Sequence, residues 1–263
     1  MTEPPRASMS ELHTLLAPLF DGPESLAGPD GHAWVDAPLL GAQRAEHPVF
    51  ADLANRIPGH LTPTQVFAEI HGHADASLHV LSMAFPITAP VVAANAAEKE
   101  LPAALWLKTK LWNVRQVCPR VREELAAFLE ARGARCLWVT QCGLFAAGDT
   151  EEGPRSNWSE RHVAYACGLG TFGLNGALIT ERGVAHRLMS VVTDCVIEPV
   201  GEVAPDPFGH CLYRRHGTCG ACIRRCPVGA ITAEGHGPAV CAGQERETVP
   251  PLVRARYDLD VPG

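Results

Sequence analysis

Six of the ten cysteines crowd the last third of the chain: Cys195, Cys211, Cys219, Cys222, Cys226 and Cys241. Three of them form the run Cys219-Gly-Ala-Cys222-Ile-Arg-Arg-Cys226-Pro227. This C-x2-C-x3-C-P spacing matches the latter part of the bacterial ferredoxin run. A [4Fe–4S] cube needs thiolates converging from a tight, low-strain loop. Cys-x-x-Cys points two sulfurs the same way and turns backbone N–H groups toward the cluster. Pro227 then redirects the chain, and Gly229 and Ala230 let it pass close by. Arg224 and Arg225 would offset part of the cluster's negative charge. Zinc also takes Cys-x-x-Cys, but a zinc ribbon wants a second such pair, and the sequence has none.

Seven residues separate Cys211 from Cys219, and fourteen separate Cys226 from Cys241. The candidate metal ligands are therefore Cys211, Cys219, Cys222, Cys226 and Cys241, five for a cluster that needs four. The ferredoxin run has one more cysteine three residues before Cys219, where this chain has His216. Histidines near such loops are more often surface residues than ligands. Two all-cysteine clusters need eight ligands, so one cluster is expected and a second is doubtful. Whether Cys211 or Cys241 supplies the fourth ligand stays open, and so does the cluster served by Cys226, because in two-cluster ferredoxins the cysteine before proline serves the other one.

The second chemical signal runs from Ser156 to Asn175 and ends in a glycine loop, Gly168-Leu-Gly170-Thr-Phe-Gly173. No Lys-Ser/Thr pair completes a phosphate loop. A dinucleotide fingerprint would follow a strand, and this one follows a predicted helix. Glycines here let the backbone approach a large flat ligand, or they mark a tight helix-to-strand turn. Candidate acid–base groups are Glu160, His162, Tyr165 and Asp149. Glu160 also suits the first turn of a helix, where acids complement the dipole.

Together the two signals resemble the epoxyqueuosine reductase family, cobalamin-dependent iron–sulfur reductases related to reductive dehalogenases. The resemblance rests on Glu160-Arg161, then Gly168-Leu169-Gly170, Gly173 and Asn175, then Leu178-Ile179-Thr180 and Val192-Thr193-Asp194. Ser-Asn-Trp-Ser-Glu-Arg-His and Cys211-Leu-Tyr-x4-Gly-Thr-Cys219 point to a poorly characterised branch. It covers residues 34–241, most strongly 156–231. It implies a nitroreductase-like α/β (α+β) domain carrying a ferredoxin-like module. It also implies a base-off cobalamin over Gly168, Leu169, Gly170, Thr171, Phe172, Gly173 and Asn175, fed by a ferredoxin- or flavodoxin-type donor. The family's catalytic Asp lies six residues before the acid of Glu-Arg. Here that position is Pro154, with Asp149, Glu151 and Glu152 nearby, and the loop's Lys is Leu174. The family's C-terminal cysteine group is absent from this sequence. The expected function is reduction of a small molecule; the alternative is electron transfer or corrinoid reduction without substrate chemistry of its own.

The elements that must hold these groups are less regular. Helices are expected over 10–20, within 61–75, from 89, over 102–132 with a break at Pro119 and a stop at Gly133, and over 158–167 with Ser156 or Asn157 as N-cap. Strands are expected at 79–85, 136–140, 177–180 and 187–193. Residues 22–60 look like irregular packing segments, and 148–157 like a polar loop. The β–α–β succession around 79–140 argues for an α/β layered domain, residues 1–195. A Pro- and acid-rich linker then leads into the cysteine module within 196–263.

The 263 residues, 46% hydrophobic and 19% charged, suit an ordinary soluble domain plus a small module. No signal-peptide pattern or membrane-spanning run is seen, so a reducing cytoplasm is the expected compartment, with no membrane partner. There, clustered cysteines bind metal more often than they form disulfides. The net charge of −7 argues against a nucleic-acid binder and, beside Pro154, against a tRNA partner.

Overall fold

The computed structural model describes residues 3–22, 25–73 and 77–260. Its centre is a four-stranded antiparallel sheet in the order Leu39–Arg44, His79–Pro86, His186–Thr193, Cys136–Leu137. His79–Pro86 pairs along its whole length with His186–Thr193, from His79 opposite Thr193 to Pro86 opposite His186. Every residue of His79–Pro86 is buried. An apolar run without alternation requires this, because both faces of the sheet are covered.

On one face, Leu81, Met83, Phe85 and Val191 pack with Leu12 and Leu16 of the helix Met9–Leu16 and with Val121, Leu125 and Leu129 of Cys118–Glu130. On the other, Val80 and Val192 pack with Phe50 of Pro48–Arg56, Phe67 of Pro63–His71, and Val163 and Ala166 of Glu160–Ala166. The result is a mixed α/β, three-layered arrangement of the α+β kind. The expected β–α–β succession is present, with a third strand inserted between its two. His79–Pro86 and Cys136–Leu137 do not pair with each other; His186–Thr193 enters between them, antiparallel to both.

Other local departures have local causes. Residues 22–60, expected to be irregular, hold the strand Leu39–Arg44 and the helix Pro48–Arg56. Gly41 disguised the strand: glycine is rare in strands, but a Cβ there would lie 2.4 Å from the Cys167 carbonyl oxygen. Pro119 does not split its helix. Ala104–Trp112 runs through a π-turn, Asn113–Val117, into Cys118–Glu130, and the wider turn accommodates the proline ring. Residues 136–140 form a strand only at Cys136–Leu137 before a 3₁₀ turn. The expected polar loop is a hairpin, Ala147–Thr150 with Gly153–Ser156.

The stretch read as a linker begins with the strand Val196–Glu198, paired in parallel with Arg6–Ser8. Beyond it lie the short helices Leu212–His216, Ala221–Arg225 and Pro238–Gly243, then Val249–Tyr257. Val253 packs on Leu107, and the Arg225 guanidinium donates to the carbonyls of Asn95, Ala96 and Glu98. Among the described residues, no helix is long and apolar enough to cross a membrane.

Candidate functional site

The helix Glu160–Ala166 starts after Ser159, not after Ser156 or Asn157. Those two side chains are committed elsewhere. Ser156 donates to the Trp158 carbonyl, and Asn157 accepts from the Ala146 N–H and donates to the Leu144 carbonyl. Trp158 is buried, and its Nε1–H donates to Ser190 Oγ at 3.0 Å. The helix start is thereby pinned to the central strand.

This places Glu160 against Ser190. Its Oε2 is buried and has no hydrogen-bond partner among the described residues. Burial raises its pKa to about 7, and hydrogen bonds from Ser190 pull the other way. His162 is half-buried, with Nδ1 2.7 Å from Ser159 Oγ and its ring 4.9 Å from that of Phe172. Burial, helped by Arg161 and His60, lowers its pKa to about 4, so it is neutral at pH 7. A carboxyl that titrates near neutrality can give up or take a proton, and a neutral imidazole can accept one.

The other two acid–base candidates face different work. The Tyr165 hydroxyl donates to the Ala204 carbonyl at 2.7 Å, and burial raises its pKa. Asp149 is exposed on the hairpin and pairs with Arg246, whose hydrogen bond lowers its pKa. Asp149 stands directly across the hairpin from Pro154. Residues opposite each other in an antiparallel pair share a face, so an acid does lie on the face that Pro154 occupies.

The glycines of the loop are used mainly to bring chain segments together. A Cβ on Gly170 would lie 2.2 Å from the Ile179 carbonyl oxygen, and one on Gly168 would lie 3.0 Å from Gly201 Cα. Thr171 is buried and accepts from the His210 N–H; Asn175 accepts from the Ala177 N–H; Leu169 packs over Gly41. Gly173 sits close to the Asn175 side chain. Among the seven loop residues of the sequence reading, Phe172 lines the cleft described next. Gly170→Ala must push backbone apart and is expected to cost roughly 1–3 kcal/mol. A denaturant midpoint measures this; an unchanged midpoint would show that the loop can give way.

Two cavities meet at Pro154, Arg161 and His162. One, of about 540 Å³, reaches inward past Phe145 and Trp158 to Glu160. The other, of about 440 Å³, is walled by Phe172, Phe208, His236 and Cys241. Both are within the size range of small-molecule sites. Arg161 donates to the Gly176 carbonyl, which holds its cation at the rim. A third cavity, of about 280 Å³, contains Trp106, Cys226 and, again, Cys241.

The Cys226 sulfur accepts the Ala230 N–H at 3.2 Å. Burial opposes its thiolate, but hydrogen bonds from the backbone of Val228, Ile231, Ala230 and Gly229 prevail and lower its pKa. Such a ring of N–H groups suits a thiolate ligand. Cys241 lies near enough to act on Cys226 electrostatically; burial, Glu245 and Cys226 raise its pKa. Cys219 is exposed with φ +78°, Cys222 is half-buried, and Cys211 is buried before Leu212–His216. Among the described residues, no three His, Cys, Asp or Glu side chains gather as a metal site. The structure thus brings Cys226 and Cys241 together and does not gather Cys211, Cys219 and Cys222 with them. In such loops the metal bonds themselves supply much of the convergence.

Cys118, Cys136, Cys167 and Cys195 behave as packing thiols. Burial raises Cys118 and Cys195 to about 11 and raises Cys136 and Cys167 as well. Sequence reasoning missed Ser190, Trp158 and His60, which set the environment of Glu160 and His162. No local signal marks Ser190 or His60, and Trp158 figures in the sequence only within its motif, because the three meet through tertiary contacts.

No protein-family model matches the chain, and no curated protein does. Solved structures similar to it are of epoxyqueuosine reductase, the family its motifs resemble. One, with an epoxyqueuosine-modified tRNA-Tyr stem loop, is 16% identical over 86% of this chain and 55% of that one, with a TM-score of 0.47. A selenomethionine-labelled one is 15% identical over 84% and 57%, also at 0.47. One from Bacillus subtilis is 16% identical over 76% and 51%, at 0.44. The chain therefore spans little more than half the length of these structures. The expectation set against a tRNA partner is overturned, since one of these similar structures carries a tRNA stem loop. Net charge was a poor guide, because it says nothing of a local patch.

Proposed function

We propose that the chain is an iron–sulfur reductase of the epoxyqueuosine reductase type, with the cleft at Glu160, His162 and Phe172 as its reaction chamber. One observation carries this reading: Cys241 lines both that cleft and the cavity holding Cys226. The cysteine module and the helix–glycine-loop unit, the two separate signals of the sequence, thus share a wall. Nothing in the spacing of either required that.

In this reading Cys219, Cys222 and Cys226, with Cys211 or Cys241, hold one [4Fe–4S] cluster in a ferredoxin-like module. The N–H ring at Cys226 fits a cluster thiolate. A corrinoid, when bound, supplies a low-potential metal centre that reduces the substrate. The fit to that group is narrower, because Gly168 and Gly170 are closed by the chain itself, leaving Phe172, Gly176 and Arg161 to face it. Phe172 offers an aromatic face and Arg161 a fixed cation. Glu160 holds a proton at its buried carboxyl, and Ser159 fixes the His162 ring that faces both cavities. Trp158 and Phe145 exclude water from the inner end. The substrate is a small reducible group, and an epoxyqueuosine-bearing tRNA stem loop is one to test beside free small molecules. A ferredoxin or flavodoxin in a reducing cytoplasm would supply the electrons.

Purification without oxygen is expected to give iron and sulfide at about four each per chain. Added cobalamin is expected to bind with a changed corrinoid spectrum. Stoichiometric zinc without iron would overturn the reading. A cluster without cobalamin binding would remove the corrinoid from it.

A further inference from the structure

A cavity of about 780 Å³ among the described residues lies outside the cleft and uses none of its residues. One wall is a single face of the Ala104–Val117 helical run, where Leu105, Lys108, Trp112 and Arg115 follow helical spacing. Opposite it stand Asp30 and Trp34. The two indoles meet edge to face, with centroids 6.0 Å apart and planes at 70°. Both indole N–H groups are already committed, Trp34 to Asp30 and Trp112 to the Leu26 carbonyl. Trp34 is buried and Trp112 half-buried, so what the pair can offer a ligand is aromatic surface, mainly that of Trp112, rather than a donor.

The cavity sets two cations, Lys108 and Arg115, against one carboxylate, Asp30. Asp30 is committed on both oxygens, to the Trp34 indole and to the His32 N–H. Lys108 and Arg115 have no ion pair among the described residues. From Leu101 to Arg122 the sequence has five basic residues and no acid, within a chain of net charge −7. All three lysines of the protein, Lys99, Lys108 and Lys110, lie in or beside this stretch. Lys108 and Arg115, the two cations that line this aromatic-walled cavity, are complementary to a flat ring bearing negative charge.

We infer that this cavity is a second binding site, for a planar aromatic ligand carrying a phosphate or carboxylate. The ring lies against the Trp34–Trp112 wall, and the anion sits between Lys108 and Arg115. The inference is independent of the cluster and of the cleft.

Calorimetry on the full chain with flavin mononucleotide, riboflavin and inorganic phosphate tests it, the three probes separating ring from charge. Flavin mononucleotide is expected to bind at one site, at least tenfold more tightly than riboflavin, with phosphate alone weaker still. Lys108→Ala with Arg115→Ala, both exposed and outside the core, is expected to weaken flavin mononucleotide at least tenfold and to leave riboflavin unchanged. Absence of binding, equal affinity for the charged and uncharged flavins, or an unaffected double variant would each overturn the site. Iron content, unchanged throughout, keeps this outcome separate from that of the reductase reading.

Discussion

Cys226→Ser, purified without oxygen, is expected to lose most of its iron and acid-labile sulfide and the broad visible absorption that goes with them. The Cys226 sulfur accepts the Ala230 N–H, and the backbone of Val228, Gly229 and Ile231 adds further support. Those donors favour an anion at that atom. A serine hydroxyl at the same place stays protonated near neutral pH and offers iron a far poorer bond. Cys136→Ser is the matched control. Burial keeps its thiol protonated, it sits beside the central sheet, and its removal is expected to leave the iron intact.

The same assay chooses the fourth ligand. Cys241 shares a cavity with Cys226, whereas Cys211 is buried ahead of its own short helix. Cys241→Ser is expected to lose iron as Cys226→Ser does, and Cys211→Ser to keep it. Full iron in Cys226→Ser would remove the module from the proposed function altogether.

The second large effect belongs to Glu160. Its carboxyl titrates near 7 in the folded protein, against an ordinary value of 4.5. Between those values the folded chain holds a proton that the unfolded chain has released. Stability is therefore full below about pH 4.5 and falls as the pH rises through 7, by up to about 3 kcal/mol from this group. Glu160→Gln keeps the shape and removes the charge. At pH 8 the variant is expected to be more stable than the parent, and at pH 4 to match it. Urea midpoints at both pH values measure the difference; parallel pH curves would show that Glu160 is not the buried acid described here. Reductase activity is expected to fall about 100-fold or more in the same variant if the carboxyl delivers the proton. Gaining stability while losing activity separates a working acid from a merely structural one.

The parts of the molecule legible in its sequence are those whose cause is local. Cysteine spacing is a property of one loop, so Cys219, Cys222 and Cys226 stand out as proposed ligands from the sequence alone. His79–Pro86 was legible because burial on both faces leaves an unbroken apolar run. Leu39–Arg44 was not, because the reason for Gly41 lies at Cys167, more than a hundred residues along the chain.

The site divides along the same line. Sequence named Glu160, His162, Tyr165 and Asp149 as types that could act, Phe172 as part of the loop the family resemblance implies, and Pro154 as a mismatch with the family pattern. Only tertiary structure set Glu160 against Ser190, turned Tyr165 to Ala204, placed Asp149 across a hairpin from Pro154, and gave Gly170 to the Ile179 backbone. Desolvation and close approach are the physical reason. Both depend on which distant segments arrive at a residue, and no residue carries that information in its own neighbourhood. The sequence by itself determined the C-x2-C-x3-C-P spacing on which the proposed cluster rests. The fold decided that Cys241 would line both the cavity that holds Cys226 and the one that Phe172 and His162 wall.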